Sequence, residues 1–326
     1  MEFTCKEAKR LDVAMSEILA LPRNQVEKLI KKSGVYVDDV LTHKCSLKLQ
    51  ESSVVRYDFI EAEASKSAYE IDFDVPVLYE DEDILVINKP PFLTVHGAPS
   101  VKEPTLVDWL QHRGISLSTI SGEERHGIVH RIDKETSGAL VIAKNNEAHV
   151  KLASQLEDKS MGRYYLAIID LPLKENVVVD LPIGRNPNHR LKMAVQREGR
   201  SAKSAFCKCS LSHDGKKELI AAKLFTGRTH QIRVHLSALS RHILGDSLYG
   251  FKSHNGTIPR VMLHAYILYL KHPRSQEMLY IHAPLWDDFD DYLTHHFNKE
   301  NIHETIVMDR IINGFRPYDQ WVHKNT

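Results

Sequence analysis

The segment His126-Gly-Ile-Val-His-Arg-Ile-Asp-Lys-Glu-Thr-Ser-Gly-Ala-Leu-Val-Ile-Ala-Lys144 constrains this chain more than any other. Gly127-Ile-Val reads as a strand entering a turn, and Ala139-Leu-Val-Ile-Ala143 as a buried strand leaving it. Short aliphatic runs bounded by Gly and polar residues favour extended backbone. Between them the turn presents Arg131, Asp133, Lys134, Thr136 and Ser137. Gly138 is free to take a positive φ. A carboxylate on a loop held between two buried strands is well placed for chemistry. Taken alone, Asp133 reads better as a turn residue capping its own backbone.

Two other segments offer what a reactive carboxylate needs. Arg163-Tyr-Tyr-Leu-Ala-Ile-Ile169 reads as a strand with Tyr165 and Ala167 on one face. Leu224-Phe-Thr-Gly-Arg-Thr-His-Gln-Ile-Arg-Val-His-Leu236 gathers Arg228, His230, Gln231 and Arg233 behind Gly227. An arginine beside a carboxylate keeps it charged and orients it, best through a two-pronged pair. A tyrosine transfers protons or stacks on a base. The spacing leaves open whether the three segments meet.

The rest of the chain divides into units. At roughly 100–200 residues per domain, 326 residues allow two domains, or one large domain with an appendage. Residues 1–60 read as a small α/β module. Leu11, Met15, Ile18 and Leu19 recur at helical spacing, and Pro22 interrupts the run. A second helix puts Val26, Leu29 and Ile30 on one face and ends at Gly34. Val35-Tyr-Val37 and Val54 to Phe59 read as strands. Residues 61–76 are expected to link this module to a catalytic unit at 77–285, because Glu61 to Ser67 lacks apolar periodicity. Asp83 to Asn88 reads as that unit's first strand. Trp286 opens an acidic extension over 286–326 that reads best as a packing helix.

Charge sharpens the picture. Lys plus Arg and Asp plus Glu are both 43, so no uniform basic coat exists and any polyanion site is local. From Arg185 to Arg241 only Glu198, Asp214 and Glu218 oppose a run of basic residues, a pattern able to neutralise a phosphate backbone. Arg23, Lys28, Lys31 and Lys32 make the second helix basic, which also reads as a solvated face. Cys5, Cys45, Cys207 and Cys209 lack zinc-site spacing and read as reduced thiols. No signal-peptide core is evident, and no apolar run approaches the ~20 residues of a membrane span. A cytoplasmic monomer is expected.

The motifs resemble those of the RluA-type RNA pseudouridine synthases. His130-Arg131-Ile132-Asp133-Lys-Glu-Thr136-Ser137-Gly138 carries the resemblance. Asn88-Lys89-Pro90, Tyr165-Leu-Ala167, Gly227 to His235 and Leu244-Gly245-Asp246-Ser-Leu-Tyr249-Gly250 follow in that family's order. Residues 8–60 resemble an RNA-binding module first known from a small-subunit ribosomal protein. The resemblance implies an α+β catalytic domain with a mixed, largely antiparallel sheet flanked by helices. It implies that Asp133 is catalytic, that Tyr165 packs on the flipped uracil, and that Arg233 pairs with Asp133. Arg131 would hold the nucleotide out of its helix, and Arg228 would meet RNA phosphate. His130 and His230 would be structural hydrogen-bonders. RNA binding is expected further at Arg23, Lys28, Lys31 and Lys32. Ribosomal RNA, above all of the large subunit, is the expected substrate, with transfer RNA second. Two departures stand out: Phe92 replaces a usual Gly, and Gly162-Arg163 replaces a usual Lys-containing approach to Tyr165.

Pseudouridine formation moves C1′ from N1 to C5 of the base without net redox change. No cofactor and no metal is expected, and no P-loop or dinucleotide-binding glycine pattern is present. The carboxylate would stabilise positive charge at the sugar, attack it, or start a 2′-proton elimination. Extruding the base costs a few kcal/mol, least in RNA loops. Two rival readings are an RNA-binding protein without chemistry and an N-glycosidase that leaves abasic RNA.

Overall fold

The computed structural model describes residues 1–19, 23–58, 69–97, 101–118, 126–252 and 258–319, without the side chains of Asn24, Gln25, Lys28 and Asp319. The break expected at Pro22, the linker signal at 61–67, Phe59 and the Lys28 side chain lie outside that set.

The N-terminal unit pairs two helices with a small antiparallel sheet. The strands are β1 (Glu2–Thr4), β2 (Val35–Val37), β3 (Val40–Thr42) and β4 (Val54–Arg56), in the order β1-β4-β2-β3. Helices α1 (Leu11–Ile18) and α2 (Arg23–Ser33) bury Leu11, Met15, Val26 and Ile30 against Val35, Leu49 and Val55. Ile18 is the exception to the helical pattern, being 45% exposed at the end of α1. Gly34 adopts φ 70° and stops α2, as its position predicts. Asp12 is fully buried and accepts two N–H bonds from Arg10 and another from Arg23, at 2.8–3.0 Å. A buried carboxylate requires such partners. Arg23 is thus held to the fold, whereas Lys31 and Lys32 on the same helix are both exposed.

The larger unit is built on one nine-stranded sheet. Its strands are β5 (Val77–Glu80), β6 (Ile84–Lys89), β7 (Ser137–Ala143), β8 (Gly162–Ile169), β9 (Val177–Asp180), β12 (Lys203–Leu211), β13 (Glu218–Leu224), β14 (Leu263–Lys271) and β15 (Met278–His282). The order is β5-β6-β7-β14-β8-β13-β12-β9, with β15 also paired to β14. Only the β14–β7 pairing is parallel, so the sheet is mixed and largely antiparallel. β10 (Ile183–Arg185) and β11 (Met193–Val195) form a separate hairpin inside the basic stretch. Helices α3 (Leu106–His112), α4 (Asn146–Asp158) and α5 (Gln231–Ala238) complete this unit's frame. Strands β6, β7 and β8 are buried along their whole length, as their continuous apolar runs imply. Gly127-Ile-Val does not form a strand: Ile128 makes a single bridge to Ile142.

The point where β7 meets β14 fixes the reactive loop. Gly138 has φ 109°, and a Cβ there would lie 2.3 Å from the Ala265 carbonyl oxygen. Only glycine lets the two backbones approach so closely. Beside it, buried Ser137 Oγ lies 2.8 Å from His264 Nδ1, and His264 Nε2 lies 3.1 Å from the Ala283 carbonyl oxygen. A neutral imidazole satisfies both contacts, accepting from Ser137 and donating to Ala283. Burial drops the His264 pKa to about 3, and that of His149 to about 4. Both values are depressed, so the unfolded chain takes up protons that the fold refuses. Their stabilising contribution is complete above the ordinary histidine pKa of ~6.5 and is lost as pH falls below it. Each group adds a slope of about 1.4 kcal/mol per pH unit. Thermal unfolding followed from pH 7 to 5 should therefore show a falling Tm. A flat profile would mean that these imidazoles protonate in the fold.

Phe92 occupies the turn after β6 with φ 66° and is 48% exposed. This is the left-handed conformation that the glycine usual at this position accepts freely. For a residue with a side chain it costs about 1–2 kcal/mol. Glycine's greater freedom in the unfolded chain offsets about 0.5–1 kcal/mol of that. Phe92→Gly is expected to raise stability by up to about 1 kcal/mol in denaturant titration. A fall in stability would show that the exposed ring packs usefully.

The acidic residues beyond Trp286 form α6 (Asp287–His296), α7 (Lys299–Thr305) and α8 (Met308–Asp319). Phe289, Leu293, Phe297, Ile302, Ile311 and Phe315 are buried in the same core as β8, β12 and β13. No helix among the described residues is long and apolar enough to cross a membrane.

Candidate active site

Asp133 sits on the loop that enters β7, on the wall of an open cleft of about 330 Å³. The loop is held from behind by two buried basic side chains. Lys89, fully buried at the end of β6, donates to the carbonyls of Pro90, Leu93 and Lys134 at 2.8–2.9 Å. Burial lowers its pKa to about 7. Arg260, also fully buried, reaches the Glu135 carbonyl and forms a two-pronged pair with Asp288 of α6. The Glu135 carboxylate accepts from the Val261 N–H at 3.1 Å. Asn88, next to Lys89 at the end of β6, donates to the Pro284 carbonyl and accepts from the Trp286 indole. The start of the acidic extension is therefore keyed to both sides of the reactive loop.

Arg233 reaches the same cleft from the first turn of α5. Its Nη1 donates to Asp133 Oδ2 at 3.2 Å. Its two-pronged contact is made elsewhere, with Asp246: Nε to Oδ2 at 2.7 Å and Nη2 to Oδ1 at 2.8 Å. The geometry therefore modifies the expected Arg233–Asp133 pair into a relay, in which Asp246 fixes the guanidinium and one remaining N–H points at Asp133. Burial opposes the Arg233 charge, but the two carboxylates outweigh it and push its pKa up. The guanidinium also lies over the Tyr249 ring, 4.9 Å from its centroid.

His230 caps α5 with φ 57°. Its Nδ1 lies 2.8 Å from the Tyr249 hydroxyl, which itself accepts from the Met193 N–H. The hydroxyl proton is thus free to go to Nδ1, which places the His230 proton on Nε2, 3.8 Å from Asp133 Oδ2. Burial lowers the His230 pKa, and Asp133 offsets this only in part. His230 is a neutral neighbour of the carboxylate, beyond hydrogen-bond distance of it.

Tyr165 projects from β8 into the cleft, 4% exposed, with its pKa raised by burial. It meets the site as a neutral phenol. Arg131 is exposed at the cleft rim, and Arg228 lines the cleft with its Nε bonded to the Ser201 carbonyl. His130 lies between the Arg163 guanidinium, 2.5 Å from Nδ1, and the Val141 N–H, 3.3 Å from Nε2. Burial first, and the Arg163 charge second, keep it well below the ordinary histidine range. The structure thus brings Asp133, Tyr165, Arg233, Arg131 and Arg228 into one cleft, and leaves Arg23, Lys31 and Lys32 on the N-terminal unit. In the sequence Asp246 and Tyr249 stand in a motif but carry no role of their own. The signal that could have found one was that Asp246 is the first acid after Arg233, thirteen residues on.

One group with metal-binding composition exists among the described residues: Asp81, Asp83 and His272. Tyr79 and His272 already bond Asp81, while Arg274 and Asn145 bond Asp83. None of these residues lines the cleft.

Comparison with known proteins gives one answer. The family model for RNA pseudouridylate synthases matches residues 83–238. An RNA pseudouridine synthase of Helicobacter pylori is 46% identical over 94% of this chain and 96% of its own length. A protein of Nitrosomonas europaea named ribosomal large subunit pseudouridine synthase D is 36% identical over 86% of this chain and 82% of its own. Among solved structures, human RNA pseudouridylate synthase domain containing 1 superposes with a TM-score of 0.57 at 25% identity, over 74% of this chain and 95% of that one.

Proposed function

Because this chain belongs to the RluA-type RNA pseudouridine synthases, enzymes that isomerise uridine in RNA, we propose that Asp133 is the carboxylate that acts on the sugar of the target uridine. The observation that carries this is the charge of the cleft. Among its described lining residues Asp133 is the one carboxylate, facing Arg131, Lys159, Arg163, Arg228 and Arg233. A negatively charged strand is drawn to such a wall, and a lone carboxylate within it meets positive charge developing at C1′. Tyr165 offers its ring to the extruded uracil, and its neutral phenol suits stacking and proton donation better than proton removal. Arg233, fixed by Asp246, orients Asp133. Arg131 holds the nucleotide out of its stack.

The same observation weighs against base hydrolysis. Glycosidic hydrolysis generally uses two carboxylates, one of them activating water. The second nearby carboxylate, Asp246, is 1% exposed and bonded to Arg233.

We assign the substrate to ribosomal RNA of the large subunit, on the names borne by two relatives, from Nitrosomonas europaea and Zymomonas mobilis. Transfer RNA is the second candidate. The protein then works in the cytoplasm, where its RNA is. Pseudouridine mapping of total RNA from cells with and without the gene tests this directly. Loss of one or a few sites in the large-subunit RNA is expected; loss confined to transfer RNA would move the assignment there.

The N-terminal unit is assigned RNA binding through Lys31 and Lys32. Replacing both by alanine is expected to flatten the log–log salt dependence of RNA affinity by about 0.7–0.9 for each phosphate no longer neutralised. Arg23→Ala should instead destabilise the unit, since it removes a partner of buried Asp12. An unchanged salt slope in the double variant would make α2 a solvated surface only.

A further inference from the structure

Among the described residues, Arg163 is a charge without a counter-charge. It lies on β8 two residues before Tyr165, on the same face of the strand, and lines the same cleft. The residue is 7% exposed. No carboxylate among the described residues is paired with it, whereas Lys89 is ringed by carbonyls and Arg233 and Arg260 each hold an aspartate. Its hydrogen-bond contact is Nη1 to His130, a neutral ring, and its buried Nε has no partner. A guanidinium taken out of water with no anion beside it is strongly disfavoured. No described carboxylate neutralises this one, which leaves a place for an anion from outside the chain.

The surroundings show where it would enter. Gly227 faces Arg163, and a Cβ built there would stand 3.9 Å from Nη2 with no other atom within 4 Å. The absent side chain leaves the outer edge of the guanidinium open to the cleft. The planar fork suits an oxyanion with two oxygens, such as a phosphodiester. Asp133 is paired with Arg233 and makes no ion pair with Arg163, so Arg163 is left for the strand beside the reacting sugar.

We propose that Arg163 binds a phosphodiester of the RNA adjoining the target uridine, and so sets the position of the strand across Tyr165. This rests on reading the cleft as the place where the uridine reacts. Arg163 is then a binding and positioning residue, and the departure from a lysine-containing approach to Tyr165 acquires a purpose. Lysine would supply a point charge; arginine grips two oxygens at once.

Binding of a short uridine-loop RNA is measured in an Asp133→Asn background, so that the bound RNA stays unmodified. In that background Arg163→Met is expected to weaken affinity about tenfold and to lower the log–log salt slope by about 0.7–0.9, the signature of one phosphate contact. Arg163→Lys should keep the slope while giving up part of the affinity, which separates a missing charge from a damaged fold. Neutral methylphosphonate linkages placed one at a time around the target uridine locate the contact. One such linkage should weaken binding to the Arg163-containing protein and leave the Arg163→Met protein indifferent. Unchanged slope in Arg163→Met, or equal methylphosphonate effects in both proteins, overturns the proposal and makes Arg163 a support for His130 or a contact to the base. If the Asp133→Asn protein still forms pseudouridine, the reading of the cleft fails instead, whatever the Arg163 variants do.

Discussion

Asp133→Asn is expected to slow pseudouridine formation by more than about a thousandfold, roughly 4 kcal/mol of barrier, while RNA affinity stays within a few-fold. Each route open to the enzyme, whether electrostatic, nucleophilic or by elimination, uses the carboxylate charge. The amide is nearly isosteric and still accepts a hydrogen bond from Arg233 Nη1. The network around it makes the variant a clean test. Arg233 is neutralised chiefly by Asp246, at 2.7 and 2.8 Å, so removing the Asp133 charge strands no buried cation. Stability should accordingly change by no more than about 0.5 kcal/mol, as for a substitution that breaks no buried pair. Pseudouridine formation above about a thousandth of the unaltered rate would remove Asp133 from the chemistry. A collapse in stability would instead mean that its charge holds the loop together.

The parts of this site that were legible in the sequence are those whose chemistry is local. The loop from Arg131 to Gly138 announces itself by turn residues between apolar runs, and β6, β7 and β8 by runs too long and too apolar to lie on a surface. The basic stretch and the acidic end are likewise visible as charge. Local signals also misled in two places. Gly127-Ile-Val has strand composition, yet Gly127 takes φ 69° and its segment makes one bridge, because the chain is already turning toward the loop. Ile18 has helical spacing but falls where α1 ends, and its side chain stays exposed.

What stayed illegible depends on contacts between distant residues. Asn88 meets Trp286, and Arg260 meets Asp288 while reaching back to Glu135. Nothing in the local pattern of any of these residues names its partner. The acidic residues after Trp286 read as a charged extension, but one of their carboxylates completes the shell behind the reactive loop and their apolar residues complete its core. The same reason explains Arg233. The resemblance implies that Arg233 pairs with Asp133; it does not say that the buried Asp246 takes the planar contact and that Asp133 takes the third N–H.

That relay sets the remaining prediction, on two arginines that share one short segment. Arg233→Lys is expected to lower the single-turnover rate at saturating RNA far more than Arg228→Lys does. The lysine ammonium is a point charge that cannot hold both oxygens of Asp246 and still present a fixed donor to Asp133. Asp246, 1% exposed, would be left short of hydrogen bonds, which costs about 1–3 kcal/mol or more for a charged group. Asp246→Asn should share this phenotype in weaker form, although Asp246 is held away from solvent behind Arg233, because the asparagine keeps one acceptor oxygen and gives up the charge. Arg228 is held differently: its Nε is bonded to the Ser201 carbonyl, and the rest of its guanidinium is available to phosphate. There a lysine supplies much of the same attraction, so Arg228→Lys should chiefly raise the RNA concentration giving half-saturation. Single-turnover assays across RNA concentration separate the two effects. If Arg228→Lys proved the slower enzyme at saturation, the orienting role would belong to Arg228, and the Asp246–Arg233 pair would be a brace for α5 alone.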